Sequence, residues 1–593
     1  MFSKTCYTIP HMLPRSKTFI LILILLGLAL YFNSLFNGFF LSDDEDQIIN
    51  NPLITSVQNI PQIFAGSTYF RPESDQRFGP FYRPLMLTSF SLTYALFGLD
   101  PLFYHLFQII LHTVNALLVF FLFKHFFKPG LAFILAAVFL VHPINSEVIL
   151  HAANTQEALF MFFGLASLIL STTFNRHTSK DGPSTSATLI YLATYATLLL
   201  LALLGKETAV AFAVIIPLYI WITARPNFLP VLLSSGAAVI AYLILRIQIA
   251  SIFIAHQALA AFGDLSLPER LLHAPAIATA YLKTYFFPNL ILNGYHWTID
   301  KLGLGNFILP LIIVVITNLY LIALIRRTRR HSPQHARFLF FFLVWLWLGL
   351  GLHLHILALE TTLTDRWFYF PQIGLLGIIG YLLTTLPNES LIYRKATLIT
   401  AIVLATLSAR TFIRTFDWRT SQTLILSDLA HDPGNYYFQN LLGSIYLEEG
   451  NIKAATPHVL ASVAIRPNFG NLNNLAIINM KNGNLKQADY YFQQAIEKGL
   501  FYTTRVNYAN FLLYYLKDYA RTQTFAAESI KLYPKSPDLW LALAQAHYNQ
   551  DHYDDALTAA QIALKLKPYA FAYQVLTAIK THQPINTSSL ELN

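Results

Sequence analysis

Between Thr18 and Phe412, long apolar stretches alternate with short polar segments. An apolar run of about 20 residues is long enough to cross the hydrocarbon core of a bilayer as a helix. The pattern therefore predicts an all-α, multi-pass membrane domain with eleven crossings, at about residues 18–36, 103–123, 131–147, 155–173, 187–204, 208–223, 229–250, 304–325, 338–357, 368–386 and 396–412.

The Lys and Arg residues between these stretches fall on alternate loops. The positively charged loops contain Lys4, Arg15 and Lys17, then Lys124 and Lys128, Arg176 and Lys180, Arg225, Arg326–Arg330 with Arg337, and Arg394 with Lys395. Because such loops stay in the cytoplasm, we expect the N-terminus inside and the C-terminus outside. The apolar segment Leu272–Phe287 would break the alternation if it crossed. It is therefore predicted to be an interfacial or re-entrant helix within a long outer loop, residues 251–303.

Beyond Arg414 the pattern changes to that of soluble helices with an internal period. Small residues recur 33 or 34 positions apart, at Ala455, Ala488, Thr522 and Ala556. This is the tetratricopeptide period, in which small residues lie where paired helices cross closely. The chain is therefore predicted to comprise a membrane domain over 1–412, a linker helix over 413–434, four repeats over 435–570, and a capping helix and tail over 571–593.

The composition agrees with a membrane protein and excludes several other classes. Hydrophobic residues make up 55% of the 593 residues and charged residues only 12%, about half of what a soluble domain carries. The single cysteine, Cys6, excludes a disulfide framework or a thiolate metal site within one chain. Much of the net charge of +9 lies in the predicted inner loops, so it reflects membrane topology and no nucleic-acid partner is expected.

Four acidic residues follow the first apolar stretch: Asp43, Asp44, Glu45 and Asp46. Each would cost about 2.5–3.5 kcal/mol at the centre of a membrane, so we expect them at the water–lipid boundary of the first outer loop, about residues 37–102. Three interpretations remain open at this point. The cluster marks a helix end, binds a hard divalent metal such as Mg²⁺ or Mn²⁺, or accepts a proton.

Isolated cations lie in the outer loops that the topology places on the same side as these acids. They are Arg83, Lys206 and Arg366. A carboxylate can accept the proton of an attacking hydroxyl, and neighbouring Arg and Lys can stabilise the charge on a departing phosphate. This combination suits transfer from a lipid-linked phosphate whose tail lies between helices.

The outer-loop motifs, taken in order, resemble a known family. They are Asp43-Asp44, Tyr82-Arg83-Pro84-Leu85, Gly98-Leu99-Asp100-Pro101 with Tyr104-His105, His142-Pro143, Gly205-Lys206-Glu207, and Asp365-Arg366-Trp367-Phe368-Tyr369-Phe370-Pro371, followed by the repeats. The set is similar to the transmembrane and tetratricopeptide-repeat protein O-mannosyltransferases and their bacterial relatives, of the GT-C glycosyltransferase superfamily. The resemblance covers residues 18–570. In the last motif Trp367 and Phe368 replace the family's usual Tyr-Leu pair.

The resemblance implies a GT-C helix bundle and an inverting enzyme that moves a sugar, mannose or another hexose, from a polyprenyl-phosphate donor to an acceptor hydroxyl. Asp43 or Asp44 would be the catalytic base, and Arg83, Lys206 and Arg366 would bind the donor phosphate. The residues expected to line the pocket are His142, Glu207, Asp365, Tyr369 and His105. Such mannosyltransferases work without a metal, so no cofactor is expected and a divalent metal is the minor alternative.

The repeats would bind the acceptor protein or another partner. The other expected partners of the chain are the membrane lipid and the lipid-linked donor. Protein Ser/Thr is the expected acceptor, and a glycan acceptor is the alternative. A bacterial inner membrane with periplasmic repeats is favoured over an endoplasmic reticulum membrane with lumenal repeats. The rival hypothesis is a non-enzymatic scaffold, in which the membrane domain only anchors the repeats for an envelope complex.

Overall fold

The structure, a computed structural model, describes residues 13–41, 43–71, 76–177, 185–223, 227–252, 262, 265–289, 291–295, 297, 299, 302–359, 361–385 and 390–585. These residues fall into two compact units, one drawn from Met1–Tyr69 and Arg77–Leu424, the other from Phe70–Gln76 and Ile425–Asn593. Helices dominate both. Among the described residues the only strands are β1 (Tyr69–Arg71) and β2 (Gln76–Phe78), so the predicted all-α class is confirmed.

Seventeen α-helices precede the repeats in the described chain. They are α1 (Leu13–Tyr31), α2 (Ile60–Phe64), α3 (Pro84–Phe97), α4 (Pro101–Phe123), α5 (Pro129–Val141), α6 (Ser146–Leu150), α7 (Thr155–His177), α8 (Thr185–Gly205), α9 (Val210–Thr223), α10 (Phe228–Ile244), α11 (Leu267–Leu272), α12 (Ala274–Phe286), α13 (Leu309–His331), α14 (Pro333–Gly351), α15 (Pro371–Thr384), α16 (Ser390–Asp417) and α17 (Ser421–His431).

Eight helical segments of the described chain are long and apolar enough to cross a membrane. They are Ser16–Phe36, Pro101–Phe123, Ala152–Phe174, Thr185–Gly205, Phe228–Ile249, Leu304–His331, Pro333–Gly351 and Leu398–Asp417. A ninth arises if α5 and the following Pro143–Leu150 form one span, bent by 49°. A multi-pass membrane protein is therefore confirmed.

The remaining two of the eleven predicted crossings correspond to shorter helices. α9 and α15 have 14 residues each, about 21 Å at 1.5 Å per residue, against a hydrocarbon core of about 30 Å. Each is short because the apolar stretch that predicted it includes a non-α turn. Before α15, the aromatic residues Phe368, Tyr369 and Phe370 lie in that turn.

The predicted outer loops contain helices, of which α3 and α12 are the longest in the described chain. The first outer loop contains α3, whose 14 residues are too few to register as a crossing in the sequence pattern. The segment predicted as a non-crossing helix, Leu272–Phe287, forms α12, which has 13 residues and is not among the candidate spans.

A close helix crossing in the membrane unit depends on Gly374 in α15. A Cβ at this position would lie 2.5 Å from the backbone nitrogen of Leu346 and 2.7 Å from the carbonyl oxygen of Phe342, both in α14. Because backbone atoms cannot move aside as a flexible side chain can, Gly374→Ala should destabilise the protein by about 1–3 kcal/mol. The measurement is the midpoint of thermal unfolding in detergent.

Gly236 in α10 is the matched control, since nothing lies within 4 Å of a Cβ built there. Gly236→Ala should leave the unfolding midpoint unchanged or raise it, because alanine favours a helix interior by about 0.5–1 kcal/mol. Equal changes in the unfolding midpoint for the two substitutions would contradict the close contact between α14 and α15.

The second unit contains four helix pairs and one further helix. They are α18 (Tyr436–Glu448) with α19 (Ile452–Ile465), α20 (Phe469–Lys481) with α21 (Leu485–Lys498), α22 (Tyr502–Asn510, continued as a π-helical turn over Phe511–Tyr515) with α23 (Tyr519–Leu532), α24 (Pro537–Tyr548) with α25 (Tyr553–Leu566), and finally α26 (Ala570–Thr581).

The small residues that set the repeat period lie inside these pairs. Ala455, Ala488, Thr522 and Ala556 are all fully buried. A Cβ on Gly443 of α18 would lie 2.4 Å from a methyl group of Val459 in α19, so the two helices of that pair approach closely. The predicted tetratricopeptide solenoid is therefore confirmed as the fold of this unit.

Candidate active site

The acidic segment after α1 is held against the chain that follows α16. A 3₁₀ turn, Phe32–Phe36, ends the first helix, and Asp44 caps a π-helical turn that begins at Glu45. Between them, Gly38 N donates to the carbonyl of Arg419 at 3.2 Å and Leu41 N donates to Ser421 Oγ at 2.9 Å. The backbone that carries the two aspartates is therefore fixed in position.

Asp44 is buried and its two carboxylate oxygens both accept backbone N–H groups. Oδ2 accepts from Phe40 at 2.8 Å and Oδ1 accepts from Ala153 at 2.6 Å, while His151 Nε2 lies 3.3 Å from Oδ1. Burial raises the pKa of Asp44 to about 7, although the backbone N–H groups oppose the rise. Burial also lowers the pKa of His151 to about 3, so its imidazole is neutral at physiological pH. Asp44 therefore joins the first outer loop to the short segment between α6 and α7.

Asp43 differs from its neighbour in exposure and in partners. Its side chain is partly exposed, and Oδ1 accepts a hydrogen bond of 3.2 Å from the hydroxyl of Tyr69. Its carboxylate is thus accessible to a substrate in a way that the buried carboxylate of Asp44 is not.

Arg83 is held by a carboxylate from a distant loop. Its Nε donates to Glu207 Oε2 at 3.1 Å, and the other oxygen of Glu207 accepts from Tyr82 N at 3.1 Å and from Arg246 Nη1 at 3.4 Å. Burial lowers the pKa of Arg83 and is the largest single influence, but the charges of Glu207, Tyr69 and Glu157 together with the hydrogen bond to Glu207 raise it more, so the net shift is upward. Burial raises the pKa of Glu207, yet the positive charges of Arg83 and Arg246 outweigh this effect together with hydrogen bonds, and the net shift is downward. Both groups are therefore ionised.

Lys206 lies in the turn between α8 and α9 and forms an ion pair with Glu157, near the start of α7. The two side chains are only 6% and 2% exposed. Burial lowers the pKa of Lys206, and the charge of Glu157 opposes this effect. A buried pair of this kind is expensive to break, because either partner alone would be an uncompensated charge.

Arg366 lies in a 3₁₀ turn, Asp365–Phe368, and its guanidinium pairs with Glu147 of α6. Glu147 also accepts from Arg366 N at 3.0 Å and from the hydroxyl of Thr364 at 2.5 Å. The carboxylate is 2% exposed, whereas the Arg366 side chain is 20% exposed. Glu147 therefore orients a guanidinium that retains an accessible surface.

The charges of these loops act on one another. Burial lowers the pKa of Arg366, but Glu147 raises it, followed by Asp43 and Glu157, and the net shift is upward. The positive charges of Arg83 and Arg366 in turn lower the pKa of Lys206. The structure therefore brings Asp43 and the three sequence-predicted cations into one electrostatic cluster, within which each cation has its own carboxylate partner.

Two residues predicted to line the pocket are engaged in the protein interior. His142 Nδ1 accepts from Ile144 N at 3.1 Å, and Nε2 donates to the carbonyl of Tyr285 at 2.9 Å. The hydroxyl of Tyr369 lies 2.8 Å from His112 Nδ1 and 3.3 Å from Asn115 Nδ2. These contacts indicate packing and helix-capping roles.

The other three residues predicted to line the pocket, His105, Asp365 and Glu207, differ in their surroundings. His105 is buried, with Nε2 3.3 Å from the carbonyl of Gly38, so it supports the segment that leads to the aspartates. Asp365 is buried next to Arg366. Glu207 is the one that belongs to the cluster, through its contact with Arg83.

Sequence reasoning assigned no role to Glu147, Glu157, His151 or Arg246. Glu157 carried a signal, because it lies at the start of an apolar stretch where an ionisable residue is costly. The sequence contains no signal for the ion pairs themselves, because Glu157 is 49 positions from Lys206 and Glu147 is 219 positions from Arg366.

No protein-family model matches the chain. Protein O-mannosyl-transferase TMTC3 of Homo sapiens is 23% identical over 74% of this chain and 50% of its own length. Protein O-mannosyl-transferase F38B6.6 of Caenorhabditis elegans is 36% identical over 26% of this chain and 22% of its own. The solved structure of the APC/C hetero-tetramer Cut9-Hcn1 covers 84% of this chain and 89% of that chain at 14% identity, but its TM-score of 0.24 establishes no common fold.

The chain spans about half the length of the TMTC3 relatives it matches. A second human relative, protein O-mannosyl-transferase TMTC4, matches 71% of this chain at 22% identity and 63% of its own length. The alignments to TMTC3 and TMTC4 thus extend over most of this chain. The chain is a homologue of the protein O-mannosyl-transferases, as the order of its loop motifs predicted.

Proposed function

We propose that this chain is a membrane glycosyltransferase that transfers mannose, or another hexose, from a polyprenyl-phosphate donor to a Ser or Thr hydroxyl of a protein. The observation that carries the proposal is the cluster of Asp43 with Arg83, Lys206 and Arg366, which come from three separate outer loops. The relatives named as O-mannosyl-transferases support a protein acceptor. A lipid-linked donor suits a site whose cations lie next to membrane-spanning helices.

In the proposed mechanism Asp43 is the general base. Its partly exposed carboxylate accepts the proton of the acceptor hydroxyl while the hydroxyl oxygen attacks the anomeric carbon. The bond from that carbon to the phosphate oxygen breaks, and the electron pair leaves with the phosphate. Attack from the face opposite the leaving group inverts the anomeric configuration.

Arg366, Lys206 and Arg83 are proposed to stabilise the departing phosphate. Preorganised donors aimed at developing charge lower the barrier because they need no reorganisation during the reaction. The carboxylates of Glu147, Glu157 and Glu207 hold these cations before the donor arrives. Arg366, the most exposed of the three, would make the most direct contact.

We propose the following arrangement about the membrane. The Arg-rich end of α13, Arg326–Arg330, would lie in the cytoplasm, and the acidic segment on the opposite side. The repeats would lie on the same side as the acidic segment and bind the acceptor protein or a partner. A bacterial inner membrane with periplasmic repeats is our preferred location.

Transfer is proposed to need no metal cofactor. Four carboxylates of the cluster already have a cation or backbone N–H groups as partners: Asp44, Glu147, Glu157 and Glu207. Arg366, Lys206 and Arg83 already supply the positive charge that a metal would bring to the donor phosphate, and the partly exposed Asp43 keeps the role of proton acceptor. The initial transfer rate should be measured after treatment with a chelator, without metal and with Mg²⁺ or Mn²⁺ in excess over the chelator. The rates should be the same. A rate that rises severalfold on addition of either metal would contradict this prediction.

Comparative glycoproteomics tests the function as a whole. Membrane and secreted proteins should be analysed from cells with the wild-type gene, without it, and with the Asp43→Asn variant. We expect hexose-modified Ser and Thr peptides in the first sample alone. Identical modification in all three samples would contradict the proposal and favour the scaffold hypothesis.

A further inference from the structure

A separate group of metal-ligating side chains lies in the last helix pair of the repeats. His547 is in the last turn of α24, His552 is the N-cap residue of α25, and Asp555 is in the first turn of α25. One ring nitrogen from each histidine and one carboxylate oxygen of Asp555 all lie within 4.8 Å of one another. Among the described residues this is the one such group of three found.

The loop between the two helices fixes the spacing of these side chains. His552 N donates to the carbonyl of His547 at 3.0 Å, and Ala556 N donates to the carbonyl of His552 at 3.0 Å. Asp551, directly before His552, has a φ of 61°, the left-handed conformation that turns the chain sharply into α25. The close approach of the three side chains therefore follows from the backbone.

Neither histidine is committed to a structural hydrogen bond through the atoms the structure describes. The Nδ1 atom of His547 is buried and has no hydrogen-bond partner, which is costly for a polar atom. The side chain of His552 makes no capping bond to α25 although it occupies the N-cap position.

We propose that His547, His552 and Asp555 form a binding site for Zn²⁺ or a similar borderline divalent metal. Two imidazoles and one carboxylate are ligands that zinc accepts, whereas Mg²⁺ and Ca²⁺ prefer oxygen ligands alone. Ligands of a tetrahedral zinc ion lie about 3.3 Å apart, so the three atoms must move closer together. His552 and Asp555 are exposed and can rotate to do so. Water would fill the remaining position.

The site joins the end of one helix to the start of the next, so the bound metal would stiffen the last complete repeat. It involves residues of the repeat unit alone, and it does not depend on the function proposed for the membrane unit.

Zinc titration of the full chain in detergent tests the proposal, with affinity measured by competition against a zinc-binding dye. His552→Asn is the main variant, because asparagine is a favourable N-cap residue and should preserve α25. His431→Gln is the matched control, since His431 is an exposed histidine at the end of α17. We expect one zinc equivalent to bind at least tenfold more weakly to His552→Asn than to the wild type and to His431→Gln. Mg²⁺ should not compete.

A second variant and a second measurement keep the test decisive. Asp555→Asn removes an exposed carboxylate and should also weaken zinc binding, whether or not His552→Asn folds. Zinc should raise the thermal unfolding midpoint of the wild type and of His431→Gln, but not that of either site variant. Equal zinc affinity for the wild type and both site variants would overturn the proposal, as would an equal rise in the unfolding midpoint.

Discussion

The Asp43→Asn variant is expected to fold normally and to lose transfer activity by about 10²–10⁴-fold, the usual contribution of a general base. Asparagine has nearly the shape of aspartate but cannot take up the acceptor proton. Its amide oxygen can still accept the bond from the Tyr69 hydroxyl, so the surrounding structure should be unaffected. Initial rates of sugar transfer and the thermal unfolding midpoint should be measured on the same preparation.

Asp44→Asn should show a different pattern, with reduced stability as its primary effect. Both oxygens of Asp44 accept backbone N–H groups, from Phe40 and Ala153, and an asparagine can accept only one of them. The unpaired buried N–H group should cost about 1–3 kcal/mol. Asp46→Asn, at an exposed position of the same segment, is the matched control and should leave the transfer rate unchanged and lower stability less than Asp44→Asn does.

The two aspartates are thus distinguished by separate measurements. Full activity of Asp43→Asn would contradict its role as the base. A stable but inactive Asp44→Asn, together with an active Asp43→Asn, would assign the base to Asp44.

The Glu157→Gln variant is expected to lose about 3–5 kcal/mol of stability, because it leaves the buried ammonium of Lys206 without its counter-charge. The double variant Lys206→Met, Glu157→Leu should recover most of that loss, since apolar residues of similar volume replace a buried ion pair at little net cost. If Lys206 binds the donor phosphate, the stable double variant should remain inactive.

Arg521→Met provides the comparison for an exposed pair. Arg521 pairs with Asp489 in the repeat unit with side-chain exposures of 42% and 23%, and loss of the pair should cost only about 0–1 kcal/mol.

Wild-type transfer by the stable Lys206→Met, Glu157→Leu protein would show that Lys206 has no part in catalysis. Unfolding midpoints and transfer rates measured together separate the two roles of the ion pair.

Much of the architecture was predictable from local patterns. Apolar length predicts α4, α7, α8 and α13, because a bilayer imposes a minimum helix length. The recurrence of buried small residues such as Ala455 predicts the helix pairs of the repeats. Both signals reside in neighbouring or evenly spaced residues, which is why the sequence alone contains them.

Two of the predicted crossings correspond to helices that are shorter than the apolar stretches that predict them. Hydropathy adds up apolar residues whether or not they continue a helix. The turn at Phe368–Phe370 therefore extended the stretch that predicted a full crossing, although α15 has only 14 residues. Conversely α3 lies in a predicted loop because its 14 residues, interrupted by Ser and Thr, fall below the apolar length that signals a crossing.

The arrangement of the site could be predicted only in part. The cations Arg83, Lys206 and Arg366 were identified because charge beside membrane helices is costly. Their carboxylate partners come from distant parts of the chain, and only folding brings them together. The difference between Asp43 and Asp44 depends on which of two adjacent side chains points toward Phe40 and Ala153, and spacing does not encode that direction.

The central claim is most directly tested with the purified wild-type chain in lipid nanodiscs. The protein should be incubated with a peptide identified in the glycoproteome comparison and with either polyprenyl-phosphate mannose or GDP-mannose, and the peptide analysed by mass spectrometry. We predict a hexose on Ser or Thr with the lipid-linked donor alone. Transfer from GDP-mannose alone would contradict the account, as would no transfer from a polyprenyl phosphate that carries mannose or from one that carries another hexose.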